Sequence, residues 1–206
     1  MNKKTAIIAF GFLLVFGALI YFFTLEKEVD EKEDTEPEII EEDPTKAATS
    51  ASITVTPLIM EISSTAFDND TAIPSMYSCD GDDNNPPLTI TNTPPEAKSL
   101  ALIVDDPDAP AGTWVHWTLF NIDPTTTEIS ENSVPENSVQ GLTSFNSQGY
   151  GGPCPPSGTH RYFFKIYALD TMLDLDETAK AIDIEQAMEG HIIDKAEFFG
   201  TYTHQE

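Results

Sequence analysis

Hydrophobic and polar positions divide this 206-residue chain into three regimes. An apolar run from Ala6 to Leu25 comes first, and a stretch with almost no apolar residues follows. From about Ile53 onward, short hydrophobic runs alternate with clusters of Pro, Asn, Gly and Asp. Within this third regime SLALIVDD (from Ser99), VHWTLFNI (from Val115) and RYFFKIYAL (from Arg161) are dense in β-branched and aromatic residues and predict strands. ITVTPLIMEI, from Ile53, is a weaker candidate, and EFFGTYT, from Glu197, predicts a closing strand. Helical spacing is confined to DIEQAMEGHIIDKAE, from Asp183. There Ile184, Ala187, Met188, His191 and Ile192 share one stripe, and Asp183 suits the N-cap. Strands in succession with one late helix predict a mainly β sandwich over residues 53–206.

The opening apolar run has the length of a bilayer-spanning helix, about 20 residues. A cleaved signal peptide has an apolar core of only about 7–15 residues and ends in small residues. This run ends instead near the bulky Tyr21, Phe22 and Phe23. The pattern favours an uncleaved signal anchor over residues 1–25 above a cleaved peptide, and no cysteine follows that could carry a lipid. Lys3 and Lys4 hold the N-terminus inside, so the remainder is expected beyond the cytoplasmic membrane. Residues 26–52 form the second regime. Glu26 to Pro44 carries eleven acids against two lysines, and Pro37 and Pro44 interrupt helix. Such a segment predicts a disordered, extended stalk.

Charge removes one class of function. The formal net charge is −25, and the domain is acidic even without its stalk. A field of that sign repels nucleic-acid backbones, so no nucleic-acid partner is expected. An acidic domain that captures an anion must do so through local geometry.

Candidate chemistry centres on two proline-braced loops. In DPDAP, Pro107 and Pro110 stiffen the backbone around Asp106 and Asp108 at the exit of a strand. Next comes His116, which alternation places with Thr118 and Phe120, opposite Val115, Trp117 and Leu119. In GYGGPCPPSGTHRYFFKIYAL, from Gly149, a Gly- and Pro-rich loop offers backbone N–H groups as an anion-binding nest and ends at His160. Meeting of the two loops would gather Asp106, Asp108, His116 and His160 in one cleft. Imidazole donors fixed by a carboxylate suit an oxyanion. A zinc site of two histidines and an acid is the rival, although the spacing matches no short zinc motif. A serine hydrolase lacks its GxSxG elbow. Cys154 could serve as a nucleophile only as a free thiol, and an even pair outside the cytoplasm makes Cys79–Cys154 a disulfide candidate, subject to geometry.

These two motifs, with YSCDGDDNNPPLTI and AMEGHIIDKAEFFGTY, resemble the phosphatidylethanolamine-binding protein family, in its bacterial and archaeal Raf-kinase-inhibitor-like branch. The resemblance spans Ile53 to Tyr202. It implies a large antiparallel sheet packed on a smaller one, helix near the C-terminus, and a pocket at one end of the sheet for phosphate-like or carboxylate groups. By position it assigns the pocket to Asp106, Asp108, His116 and His160, with Gly152 in the second loop and Pro155 and Pro156 as its wall. His191 matches the family's GH dipeptide and reads as structural. Two segments depart from the branch: LTSFNSQGYGG, with Thr143 and Asn146, and the ending TYTHQE.

Three functions follow as expectations. The first is a membrane-tethered, non-catalytic binding module for a phosphate monoester, a phospholipid headgroup or a similar small anion. The second is a regulator that docks an extracytoplasmic protein such as a protease, and the third is a hydrolase. No cofactor or metal is expected for the first. Its histidines would make capture pH-dependent, tighter in mildly acidic medium.

Overall fold

The structure is a computed structural model that describes residues 58–204. The expected membrane segment (1–25), the stalk (26–52) and the start of the ITVTPLIMEI candidate lie outside the described residues. Among the described residues, no helix is long and apolar enough to cross a membrane.

Among the described residues, nine strands and one α-helix follow in order. β1 (Glu61–Ser64), β3 (Leu88–Thr91) and β6 (Glu128–Ile129) form an antiparallel three-stranded sheet in the order β1-β3-β6. β2 (Thr71–Ala72), β4 (Ser99–Asp106), β5 (Trp114–Ile122), β7 (Val139–Gln140), β8 (Thr159–Leu169) and β9 (Ile192–Thr203) form the larger sheet in the order β2-β9-β8-β4-β5-β7. It is antiparallel throughout except at its edge, where the two-residue β2 runs parallel to β9. Helix α1 covers Ala181–Met188.

β4 explains why SLALIVDD reads as a continuous apolar run: all eight of its residues are buried. Its two faces serve two cores. Leu100, Leu102 and Val104 meet Leu88, Ile90, Ile62 and Ile129 of the small sheet, together with Trp117, Phe164 and Phe198. Ala101 and Ile103 point the other way, packing with Phe120, Ile184 and Met188. A strand buried on both faces has no polar side to show, so period-2 alternation disappears.

The helix is shorter than its sequence stripe. It stops at Met188, Gly190 takes φ +79°, and Ile192 already belongs to β9. Gly190 relieves the backbone of the left-handed conformation that ends the helix. Asp183 is not the N-cap; Lys180 is, and the Asp183 carboxylate accepts the Lys180 N–H at 2.9 Å from the third helical position. His191 also departs from the expected stripe. It lies exposed in the turn between α1 and β9, with Nδ1 2.8 Å from the Asp170 carboxylate, rather than on a buried stripe.

Leu102→Ala, at a fully buried position between the sheets, should lower the unfolding free energy by about 2–5 kcal/mol. Ile182→Ala, on the exposed side of α1, should change it by no more than about 0.5 kcal/mol. Urea denaturation of the two variants measures the contrast.

Candidate functional site

The site grows from the end of β4. Asp105 and Asp106 are adjacent, so the pleat sends them to opposite faces, and both are buried. Asp105 accepts from Lys165 Nζ at 2.6 Å. Burial pushes its carboxyl above the usual range, an effect the lysine only partly offsets. Asp106 is held twice: its Oδ1 accepts the Asp108 N–H at 2.8 Å, and its Oδ2 accepts from His160 Nδ1 at 2.7 Å. A carboxylate cannot donate, so the His160 proton sits on Nδ1.

His116 reaches the same region through a bulge. Val104 pairs with Trp117 while Asp105 pairs with Val115, so β5 carries one extra residue at His116. The simple alternation read from the sequence fails here. Val115 packs with Phe120 on the helix side, whereas Trp117 and Leu119 face the small sheet. His116 turns towards Tyr162, their rings edge-on at 5.1 Å, instead of joining Thr118 and Phe120. Its Nδ1 lies 2.6 Å from the Gly151 carbonyl and therefore carries the proton, which leaves Nε2 as an acceptor in the neutral ring. Burial lowers the His116 pKa, although the Gly151 contact and nearby Asp106 pull the other way.

Between these groups lies a cavity of about 350 Å³. Asp106, His116 and Tyr162 supply its polar groups, and Trp114, Phe145, Ala109, Pro110, Ala111, Pro155 and Pro156 supply apolar wall, with Cys154 at one side. Tyr162 is 1% exposed and its hydroxyl makes no well-formed hydrogen bond, although Asp106 and the Cys154 backbone lie near enough to influence it. Burial raises the Tyr162 pKa, so the hydroxyl keeps its proton. A buried, unsatisfied donor costs free energy that a ligand oxygen would recover.

The two proline-braced loops therefore meet, bringing Asp106, His116, Pro155 and Pro156 onto one cavity. His160 stands behind Asp106 and does not line it. Asp108 turns away to Arg161, taking Nε at 2.9 Å, Nη2 at 2.7 Å and the backbone N–H at 3.0 Å. Gly152 is also outside the lining. The nest expected of its loop is already occupied, since the Gly151 N–H donates to the His116 carbonyl and the Gly152 N–H to Asp83 Oδ1 at 2.6 Å. Gly152 is needed for contact: a Cβ there would stand 2.5 Å from the Tyr77 carbonyl oxygen. Cys79 and Cys154 are joined in a disulfide, Cα atoms 5.5 Å apart, which fastens the CDG segment to the cavity wall.

Tyr162, Trp114 and Phe145 join the cavity beyond the residues expected from the sequence. Tyr162 was accessible, because it lies two residues after His160 on a strand and so shares its face. Phe145 sits between Thr143 and Asn146 in LTSFNSQGYGG. Thr143 Oγ1 accepts the Phe145 N–H at 3.2 Å, and Asn146 takes φ 58°, a tight turn that presents the ring to Trp114 at 5.4 Å. Gly151 leaves room for that ring, since a Cβ would lie 2.6 Å from it.

The profile of the phosphatidylethanolamine-binding protein family matches residues 63–203. The chain belongs to that family. A UPF0098 protein of Methanothermobacter thermautotrophicus is 51% identical over 148 residues, covering 69% of this chain and 98% of the relative. One from Chlamydia trachomatis is 43% identical over 148 residues, covering the same shares. Among solved structures, a phosphatidylethanolamine-binding protein homologue of Chlamydia trachomatis superposes with a TM-score of 0.69 at 42% identity, over 71% of this chain and 99% of its own. Escherichia coli YbcL, described as a member of the mammalian PEBP family, gives 0.68 at 29%, over 72% and 100%.

Asp108→Asn tests the outer brace. Arg161 holds the Asp108 carboxyl down at about 2, so the pair contributes stability above the ordinary aspartate range and loses it as pH falls through about 2. Both side chains are partly exposed, at 50% and 30%, so solvent screening keeps the loss in the variant small at pH 7. Denaturation curves at pH 7 and pH 2.5 should show the difference between wild type and variant shrinking in acid.

Proposed function

We propose that this domain is a non-catalytic binding module whose cavity takes a phosphate-type oxyanion joined to a small apolar group. The observation that carries the reading is the Tyr162 hydroxyl, buried without a well-formed hydrogen bond on the wall shared by Asp106 and neutral His116. Tyr162 can donate to an oxyanion, whereas Asp106 and His116 Nε2 accept. A bare dianion would meet the Asp106 charge. A phosphate monoester that keeps one proton both accepts from Tyr162 and donates to Asp106 or Nε2, and its second pKa is about 6. Trp114, Phe145 and the prolines suit an apolar substituent. The cavity wall contains no serine, threonine, lysine or free thiol.

We place the domain outside the cytoplasm, tethered by the apolar run Ala6–Leu25. The Cys79–Cys154 disulfide supports an oxidising compartment.

Calorimetric titration with phenyl phosphate should show saturable one-site binding, tighter than for inorganic phosphate. Tyr162→Phe, which keeps the ring, should weaken phenyl phosphate about tenfold or more. Binding should tighten as pH falls from 8 to 5.5, because the ligand retains its proton below about 6. Equal affinity at both pH values, or an unaffected Tyr162→Phe variant, contradicts the reading.

A further inference from the structure

The geometry points to a second site on the outer side of the cavity wall: Cys79, Asp80, Cys154 and His204 form a zinc site that becomes available when the Cys79–Cys154 disulfide is reduced. The two sulfurs and a ring nitrogen of His204 lie within 4.8 Å of one another, and all three residues are exposed, so solvent, reductant and metal have access. Cys79 Sγ stands 3.7 Å from His204 Nδ1. With Zn–S about 2.3 Å and Zn–N about 2.05 Å, a tetrahedral site needs sulfur and nitrogen about 3.6 Å apart. That pair is already placed as two ligands of one ion would be.

Asp80 completes the set. Its Oδ1 lies 2.9 Å from the same His204 nitrogen, and its Oδ2 accepts from Tyr202, whose ring is buried. A carboxylate braced by a buried hydroxyl is the outer-shell support that fixes a metal ligand. Three separate backbone segments bring the ligands together. Cys79 follows the short 3-10 turn Ser75–Tyr77 and donates its N–H to the Pro153 carbonyl at 3.1 Å; Cys154 follows Pro153; His204 follows the end of β9. Besides the S–S bond, these segments are held by the Cys79–Pro153 backbone hydrogen bond and by the paired strands β8 and β9.

In the oxidised form the sulfurs are bonded to each other and neither is a thiolate. A dithiol reductant becomes its own disulfide as each protein sulfur gains one hydrogen. Zinc then displaces the two thiol protons to solvent. His204 moves its proton from Nδ1 to Nε2, and Asp80 exchanges its hydrogen bond for a metal bond. Two thiolates, one imidazole and one carboxylate suit Zn²⁺ over harder cations. Cys154 also borders the ligand cavity, so the metal would stiffen the wall in reducing conditions as the disulfide does in oxidising ones.

Cobalt(II) titration of the full chain, oxidised and reduced, tests this directly. The reduced chain should bind one equivalent with thiolate charge-transfer and intense tetrahedral ligand-field absorption, and zinc should displace it; the oxidised chain should show neither band. His204→Ala should weaken the site by about tenfold or more, whereas His191→Ala, at a histidine in a separate turn, should leave it unchanged. The proposal is overturned if the reduced chain lacks the tetrahedral spectrum, or if His204→Ala binds as wild type does. An equal loss in His191→Ala overturns it, as does a near-UV dichroism signal lost on reduction that zinc does not restore.

Discussion

The hydrogen bond between Asp106 and His160 is the constraint on which the site depends. A carboxylate buried at the end of a strand is costly unless paired, and only 3% of Asp106 is exposed. Its partner comes from the neighbouring strand, 54 positions away, at 2.7 Å. The antiparallel register Asp105↔Phe163, carried one residue further, sets Asp106 opposite Tyr162. One pairing of two strands thus supplies the acid, the imidazole that anchors it and the hydroxyl beside it. The His116 bulge adds the remaining polar group, and the proline-rich loops close the apolar wall around all of them.

Much of this was legible because rigid residues announce themselves. Pro107, Pro110, Pro155 and Pro156 mark loops whose shape is set locally, and β4, β5 and β8 are long, aromatic and β-branched. The fold and the pairing of the two loops follow from those signals and from the resemblance they support. What stayed hidden depends on tertiary register. No local pattern shows that β5 gains a residue at His116, so the face assigned by alternation was wrong for Val115 and for the histidine itself. Nor does sequence order separate residues that line a cavity from those that support it. Asp108 and Asp106 look equivalent two positions apart, yet one pairs with Arg161 outside and the other faces inward. The helix was overextended for a related reason: Ile192 continues a helical stripe on paper, while in the fold it pairs with Leu169 of β8.

The cavity and the Cys79–Cys154 corner share a wall, which gives the second proline-rich loop two constraints. On the inside its prolines and Cys154 border the ligand space. On the outside the disulfide, Asp80 and His204 fasten the same loop to the CDG segment and to the end of β9. Gly152, which no side chain could replace without striking Tyr77, lets the two segments close against each other. At the end of β9, His204 places an imidazole beside this disulfide.

His116 thus presents a free Nε2 to the cavity while Asp106 is held from behind by His160. Nitrogen-15 NMR of the imidazoles during addition of phenyl phosphate tests it most directly. Both His116 and His160 should carry their proton on Nδ1 in the free protein. Ligand should then move His116 Nε2 strongly, with His191 unaffected. A His116 protonated on Nε2 in the free protein, or one that ignores millimolar ligand, would rule out this arrangement.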